Sequence, residues 1–270
     1  MPQQENDPRV HPVSTMIRGL FLPIAKHNLK KGFRTVRVAN VSRLRKDDAP
    51  LVMPFNHASW WDPLACLLLT TSLLPKRSHY APMESVALNR FRFFRKLGVF
   101  PVELDSIAGA RNFLADAQQI LLDRKNVLWL SPQGRFVDVR ERPLKFAQGI
   151  GALLARKREL TLQPVAIEYP FWNQRLPELL INIGEPVFIT PSDKHTTREW
   201  TTIAENAMAR TQDELQALAL TRDPRHFRIL LDGAAGTGGF YGFFQRLRNR
   251  HLPADHLTHE EARQQQERAQ

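Results

Sequence analysis

Apolar positions along the chain follow two rhythms. Residues 51–55, 127–130, 162–169 and 179–184 are short apolar runs, the pattern of strands buried within a sheet. Residues 108–124 instead place Ala110, Phe113, Leu114, Ala117, Ile120 and Leu121 at helical spacing, and 197–220 repeat the pattern with Trp200, Ile203, Ala207, Leu215 and Leu218. Further helices are predicted over 64–72, 83–96 and 146–158, and further strands over 35–44, 79–82, 98–102 and 186–189. Strands alternating with helices predict an α/β fold: one domain, with a mixed central sheet flanked by helices.

The two ends read differently. Residues 1–12 are polar, carry two prolines and have little to bury, so disorder is expected. Residues 13–34 interleave Met16, Ile17, Leu20, Phe21, Ile24, Leu29 and Phe33 with Arg18, Lys26, Lys30 and Lys31, which predicts a basic amphipathic helix bent at Pro23. Such a helix either packs on the domain or lies in a membrane interface. The α/β domain is expected over 35–221, and 222–270 are read as a glycine-rich hinge and a basic, aromatic helical tail. The stretch Gly233 to Gly239 lacks the Gly-Lys-Ser/Thr of a phosphate-binding loop.

Charge narrows the partners. The 270 residues include 38 Lys and Arg against 27 Asp and Glu, a net +11 that favours anionic lipid headgroups, the phosphates of coenzyme A or nucleic acid. No zinc-ligand cluster or aromatic RNA-binding signature accompanies the charge, so nucleic acid is not an expected partner. The single cysteine, Cys66, lies in an apolar run and reads as a buried thiol in a reducing compartment. The N-terminus lacks the order of a secretory signal, and nowhere do about 18 apolar residues run uninterrupted. A cytoplasmic protein, peripheral at the inner face of a membrane, is expected.

The candidate chemistry lies in Asn56-His57-Ala58-Ser59-Trp60-Trp61-Asp62-Pro63, between a buried strand and an apolar helix. Asp-Pro is a helix-start signal, with Asp62 expected as the N-cap. A loop before the cap lets the carboxylate fold back onto the imidazole of His57, which would fix its tautomer and free the other nitrogen to take a proton. The structural alternative is that Asp62 only caps and His57 only turns the chain.

Asn-His-x-x-x-x-Asp-Pro in this setting resembles the signature of the glycerolipid and lysophospholipid acyltransferase family. The resemblance implies that His57 and Asp62 form a general-base dyad. It also implies that the base activates a hydroxyl of a lipid acceptor for attack on the thioester of an acyl-CoA or acyl carrier protein, with no metal and no cofactor beyond that co-substrate. The partners so implied are the acyl thioester donor and the lipid acceptor, with an anionic membrane surface expected from the charge. The family's acceptor-binding block, usually Pro-Glu-Gly-Thr-Arg, is matched by Pro132-Gln133-Gly134-Arg135-Phe136, and Ser59 joins Pro132, Gln133, Gly134 and Arg135 as candidate acceptor-binding residues. A further block, Pro164-Val165-Ala166-Ile167, is present.

Two departures bear on the acceptor. Leu104 stands where the family's strand-end arginine would hold a phosphate, and Gln133 replaces a glutamate. Leucine offers none of arginine's forked, charge-assisted hydrogen bonds. An acceptor other than lysophosphatidate, such as a glycolipid or another neutral hydroxyl lipid, is therefore expected, with Arg135 the candidate for a relocated phosphate contact. The acyl tail is expected beside the helix after Asp62 and the aromatic residues of 91–94. The rival reading is a catalytically silent lipid-binding member of the same fold.

Overall fold

The computed structural model describes residues 8–156 and 159–233. The chain begins with α1 (Thr15–Gly32) and β1 (Thr35–Ala39), then β2 (Leu51–Pro54), α2 (Asp62–Leu73), β3 (Ser78–Glu84), α3 (Ser85–Arg90), β4 (Val99–Val102), α4 (Ile107–Ile120) and β5 (Asn126–Leu130). It continues through α5 (Gln148–Leu154), β6 (Leu160–Leu162), β7 (Val165–Glu168), β8 (Leu179–Ile183), β9 (Val187–Ile189), α6 (Thr197–Thr221) and β10 (Arg228–Asp232). This is the predicted α/β alternation.

The strands form two sheets rather than one. Six strands run in the order β4-β3-β5-β2-β6-β9 and four in the order β10-β1-β8-β7. The run 162–169, predicted as one strand, is divided between them at Gln163-Pro164. Pro164 has no N–H for a ladder. The buried Gln163 side chain accepts from Arg45 N and donates to the Gly184 carbonyl, so the chain steps from one sheet to the other there. A single parallel bridge between Phe55 and Val165 joins the sheets.

Alternation within each strand sends side chains to both faces. Val52, Leu128 and Leu130 enter one core with Ala117 of α4, Ile150 of α5 and Met208 of α6, while Leu51, Met53, Val127 and Trp129 enter a second with Leu29 of α1 and Leu69 of α2. Helices therefore cover both faces, which is why β2 and, after its opening Asn126, β5 are apolar at every position and buried throughout.

Several boundaries differ from expectation for local reasons. β1 stops at Ala39 because Asn40 is left-handed (φ 56°) and opens a 3-10 turn over Val41–Arg43. The helix expected over 83–96 is broken at Phe91, and the 3-10 turn Arg92–Leu97 that follows lets the Phe93 and Phe94 rings pack on Phe21 of α1. Disorder over 1–12 does not hold at Arg9, whose guanidinium donates to Asp116, Glu103 and the Pro101 carbonyl. The tail expected from 222 instead contributes β10, which pairs antiparallel with β1. The remainder of the glycine-rich and aromatic tail lies outside the described residues.

α1 carries the stripe expected of it. Ala25 and Leu29 are buried against the domain, while Met16, Leu20 and Ile24, four residues apart, are exposed by 70%, 66% and 56%. Among the described residues no helix is long and apolar enough to cross a membrane.

Candidate active site

β4, β3, β5 and β2 are mutually parallel, and the loops leaving their carboxyl ends gather at one edge of the larger sheet. In open α/β sheets this edge is where ligands bind. His57 follows β2, the 131–137 loop follows β5, and Glu103 and Leu104 follow β4.

The local fold is set by Asp62. It is the first residue of α2 rather than its cap; Trp61 precedes it, with Pro63 inside the first turn. Its side chain turns back toward the preceding loop. Oδ2 accepts from the backbone N–H of Ala58 and of Ser59, each at 2.9 Å, and lies 2.7 Å from His57 Nδ1. The carboxylate is fully buried, whereas the His57 side chain keeps 22% exposure. Burying a carboxylate is expensive unless it is hydrogen-bonded, and here the donors converge. Because a carboxylate only accepts, Nδ1 carries the proton, and Nε2 is the nitrogen left to act as a base.

Sequence reading missed two residues that complete the site. The Tyr169 hydroxyl donates to Asp62 Oδ1, and it is also hydrogen-bonded by the Ser59 side chain. Burial first, then the neighbouring Asp62 charge, holds the phenol far above its ordinary range, so it remains a proton donor. Phe136 lies against the imidazole, ring centroids 4.3 Å apart and planes at 35°, and also touches Trp60. The Val137 N–H donates to the His57 carbonyl at 2.9 Å, which fastens the β5 loop over the dyad. Neither residue could be assigned from spacing, although Phe136 ends one block the sequence singles out and Tyr169 lies two residues beyond another.

The candidate acceptor-binding residues are brought to this edge unequally. Ser59 belongs to the dyad's own network, with Oγ accepting from Trp61 N at 3.3 Å. Pro132 is buried, and its carbonyl accepts from Ala147 N. Gln133 is half-buried. Gly134 is left-handed (φ 67°), a conformation glycine adopts without strain, and its N–H closes a turn onto the Ser131 carbonyl at 3.0 Å. That N–H is thus already committed to the turn. Arg135 is exposed and paired with Glu141 at 2.8 Å.

At the end of β4, Leu104 is 48% exposed. Beside it Glu103 is held below the usual carboxylate range, chiefly by its hydrogen bond with Arg9. The Arg9 guanidinium reaches that strand end, where it is shared between the carboxylates of Glu103 and Asp116. The aromatic segment expected beside the acyl tail packs two of its rings, Phe93 and Phe94, on α1. Among the described residues there is no cluster of His, Cys, Asp and Glu that could hold a metal ion.

Known proteins agree with this architecture. Among curated proteins no sequence matches the chain. A solved structure, the 1-acyl-sn-glycerophosphate (LPA) acyltransferase PlsC from Thermotoga maritima, superposes with a TM-score of 0.52 at 17% identity, covering 74% of this chain and 80% of that one. The family model described as Acyltransferase matches residues 35–168, the segment from β1 to the end of β7 that holds both members of the dyad. By that match, residues 35–168 form a domain of the Acyltransferase family.

Proposed function

We propose that this acyltransferase moves an acyl group from an acyl-CoA or acyl carrier protein thioester to the hydroxyl of a lipid acceptor, with His57 as the general base. Nε2 takes the hydroxyl proton. The resulting alkoxide attacks the thioester carbonyl, the C–S bond breaks as the tetrahedral oxyanion collapses, and the imidazolium returns its proton to the thiolate. Asp62 orients the ring and steadies the imidazolium. The observation that carries this reading is the fully buried Asp62 carboxylate holding Nδ1 at 2.7 Å while the imidazole remains partly open to solvent.

The acceptor is proposed to have a neutral headgroup. A phosphomonoester at the end of β4 would meet Leu104, and the Arg9 guanidinium there is already neutralised by Glu103 and Asp116. Arg135 is likewise engaged by Glu141. Desolvating a phosphate without a free cation is costly.

An anionic membrane surface is the proposed partner, with the protein peripheral at the inner face. The support is the exposed stripe Met16, Leu20 and Ile24, continuous through Phe21 with the exposed Phe93. α1 also carries Arg18, Lys26, Lys30 and Lys31 and no acidic residue.

The test is incubation with labelled palmitoyl-CoA or palmitoyl carrier protein and a panel of lyso-phospholipid, glycolipid and other neutral hydroxyl acceptors. Free thiol and acylated product should appear together. Vesicle binding without thiol release from any donor would instead point to a silent lipid-binding protein.

A further inference from the structure

The four donors to Asp62 divide unequally between its oxygens. Three, all from residues 57–59, meet at Oδ2. Oδ1 receives the Tyr169 hydroxyl, which arrives from the end of β7 across 107 residues of sequence. A carboxylate held at one oxygen alone can rotate about its Cβ–Cγ bond; one held at both cannot without breaking a buried hydrogen bond.

Tyr169 is itself braced. Its ring stacks on Phe33 with centroids 5.5 Å apart and planes at 30°, and Phe33 meets Trp61 edge-on at 5.0 Å. Phe33 is 2% exposed and follows directly on α1, whose Gly32 lies so close that an added Cβ would come within 2.9 Å of the Trp61 ring. Three aromatic rings therefore wedge between the end of α1 and the start of α2, and two of them belong to Asp62's neighbour in sequence and to its partner across the fold.

We propose that Tyr169 is a positioning residue for the dyad: its hydroxyl fixes the plane of the Asp62 carboxylate, hence the aim of His57, and the Phe33 ring fixes Tyr169. The proposal rests on the general-base reading above for its kinetic consequence, and on geometry alone for its spectroscopic one. Ser59 adds to the same arrangement by bonding the Tyr169 oxygen from the loop side. Cys66, one turn further along α2, does not compete for Asp62 as an anion, because burial first and the Asp62 charge second keep its thiol protonated.

The full chain carrying Tyr169→Phe keeps the stacked ring and loses only the hydroxyl. Two readouts decide the matter. The proton between His57 Nδ1 and Asp62 gives a downfield NMR resonance, and its exchange with water should be at least about tenfold faster in Y169F, since the carboxylate is released from one side. In kinetics, kcat should fall about tenfold, the equivalent of one charged hydrogen bond, with KM little changed. Faster exchange in a protein that shows no acyl transfer would sink the acyltransferase reading while supporting the positioning role. Exchange and kcat equal to wild type in folded Y169F overturn the proposal. Should Y169F not fold, Phe33→Leu, which keeps the hydroxyl and loosens the stack, should also speed exchange; an unchanged rate there overturns it equally.

Discussion

The carboxamide of Asn56 makes both backbone hydrogen bonds of Ile167, donating to its carbonyl at 2.9 Å and accepting from its N–H at 2.8 Å. A side chain thus completes a strand pairing, at the point where the two sheets meet and one residue before His57. Both atoms of Ile167 are buried, and leaving a buried polar group unpaired costs about 1–3 kcal/mol. Asn56→Ala should therefore lower unfolding free energy by roughly 2–5 kcal/mol, measured by urea denaturation. Aspartate at this position could accept but not donate, so Asn56→Asp should lose about half as much or more.

His57→Ala should reduce acyl transfer by about a hundred- to ten-thousand-fold, the usual contribution of a general base, while the fold and donor binding persist. Asp62→Asn should also be impaired. An amide at 62 must place its NH2 against donors or present only one acceptor oxygen, so part of the loss will register as instability of the 57–62 loop. Single-turnover rates beside thermal melts separate the two contributions, and wild-type turnover in the alanine variant would remove His57 from the mechanism.

The contact between His57 and Asp62 was legible in the sequence because everything that joins the two lies within five residues, on a loop bounded by an apolar strand and an Asp-Pro. What was hidden is what reaches the dyad from elsewhere. Tyr169 looked like the last residue of a strand, and Phe136 like part of a degenerate block. Their roles depend on how β5 and β7 are placed beside β2, which no local spacing encodes. The same holds for the split at Gln163-Pro164: the proline was visible, but its step between sheets needs the partners that bury Gln163. Helix boundaries failed for a related reason at Phe91, where packing of the Phe93 and Phe94 rings that follow it on Phe21 outweighs local preference.

If the end of β4 rejects a phosphomonoester, a neutral glycolipid should outcompete lysophosphatidate at equal concentration with one acyl donor. Product ratios by mass spectrometry give the answer. A clear preference for lysophosphatidate that disappears in Arg135→Ala would show instead that Arg135 exchanges Glu141 for the acceptor's phosphate.

Replacing Met16, Leu20 and Ile24 together by serine should weaken binding to vesicles rich in phosphatidylglycerol, and added salt should weaken wild-type binding further as the cations of α1 are screened. Because all three side chains point away from the domain, the melting temperature should hardly move. Unaltered flotation with vesicles would exclude this stripe.

His79 supplies a pH-dependent element of stability. Its Nε2–H donates to the Leu74 carbonyl at 3.2 Å and its Nδ1 accepts from Trp129 Nε1 at 3.3 Å, while burial pushes its pKa down to about 4 from 6.5. The unfolded chain takes up this proton first as pH falls, so stability is fully present above about 6.5 and declines toward pH 4. Urea midpoints between pH 7 and 4.5 should fall less steeply for His79→Gln than for the wild type; parallel curves would assign the acid sensitivity to other groups.

The pairing of β10 with β1 bears on how the protein is made. β1 lies between β8 and β10 in the smaller sheet, and its partner in β10 is drawn from residues 228–232. During synthesis β1 therefore remains an unpaired edge on one side until almost all of the described chain has emerged, and contacts of such high sequence separation form slowly. Nascent chains ending before residue 228 expose that edge to their neighbours on the polysome, and aggregation should rise sharply for fragments truncated just short of β10 relative to those that include it.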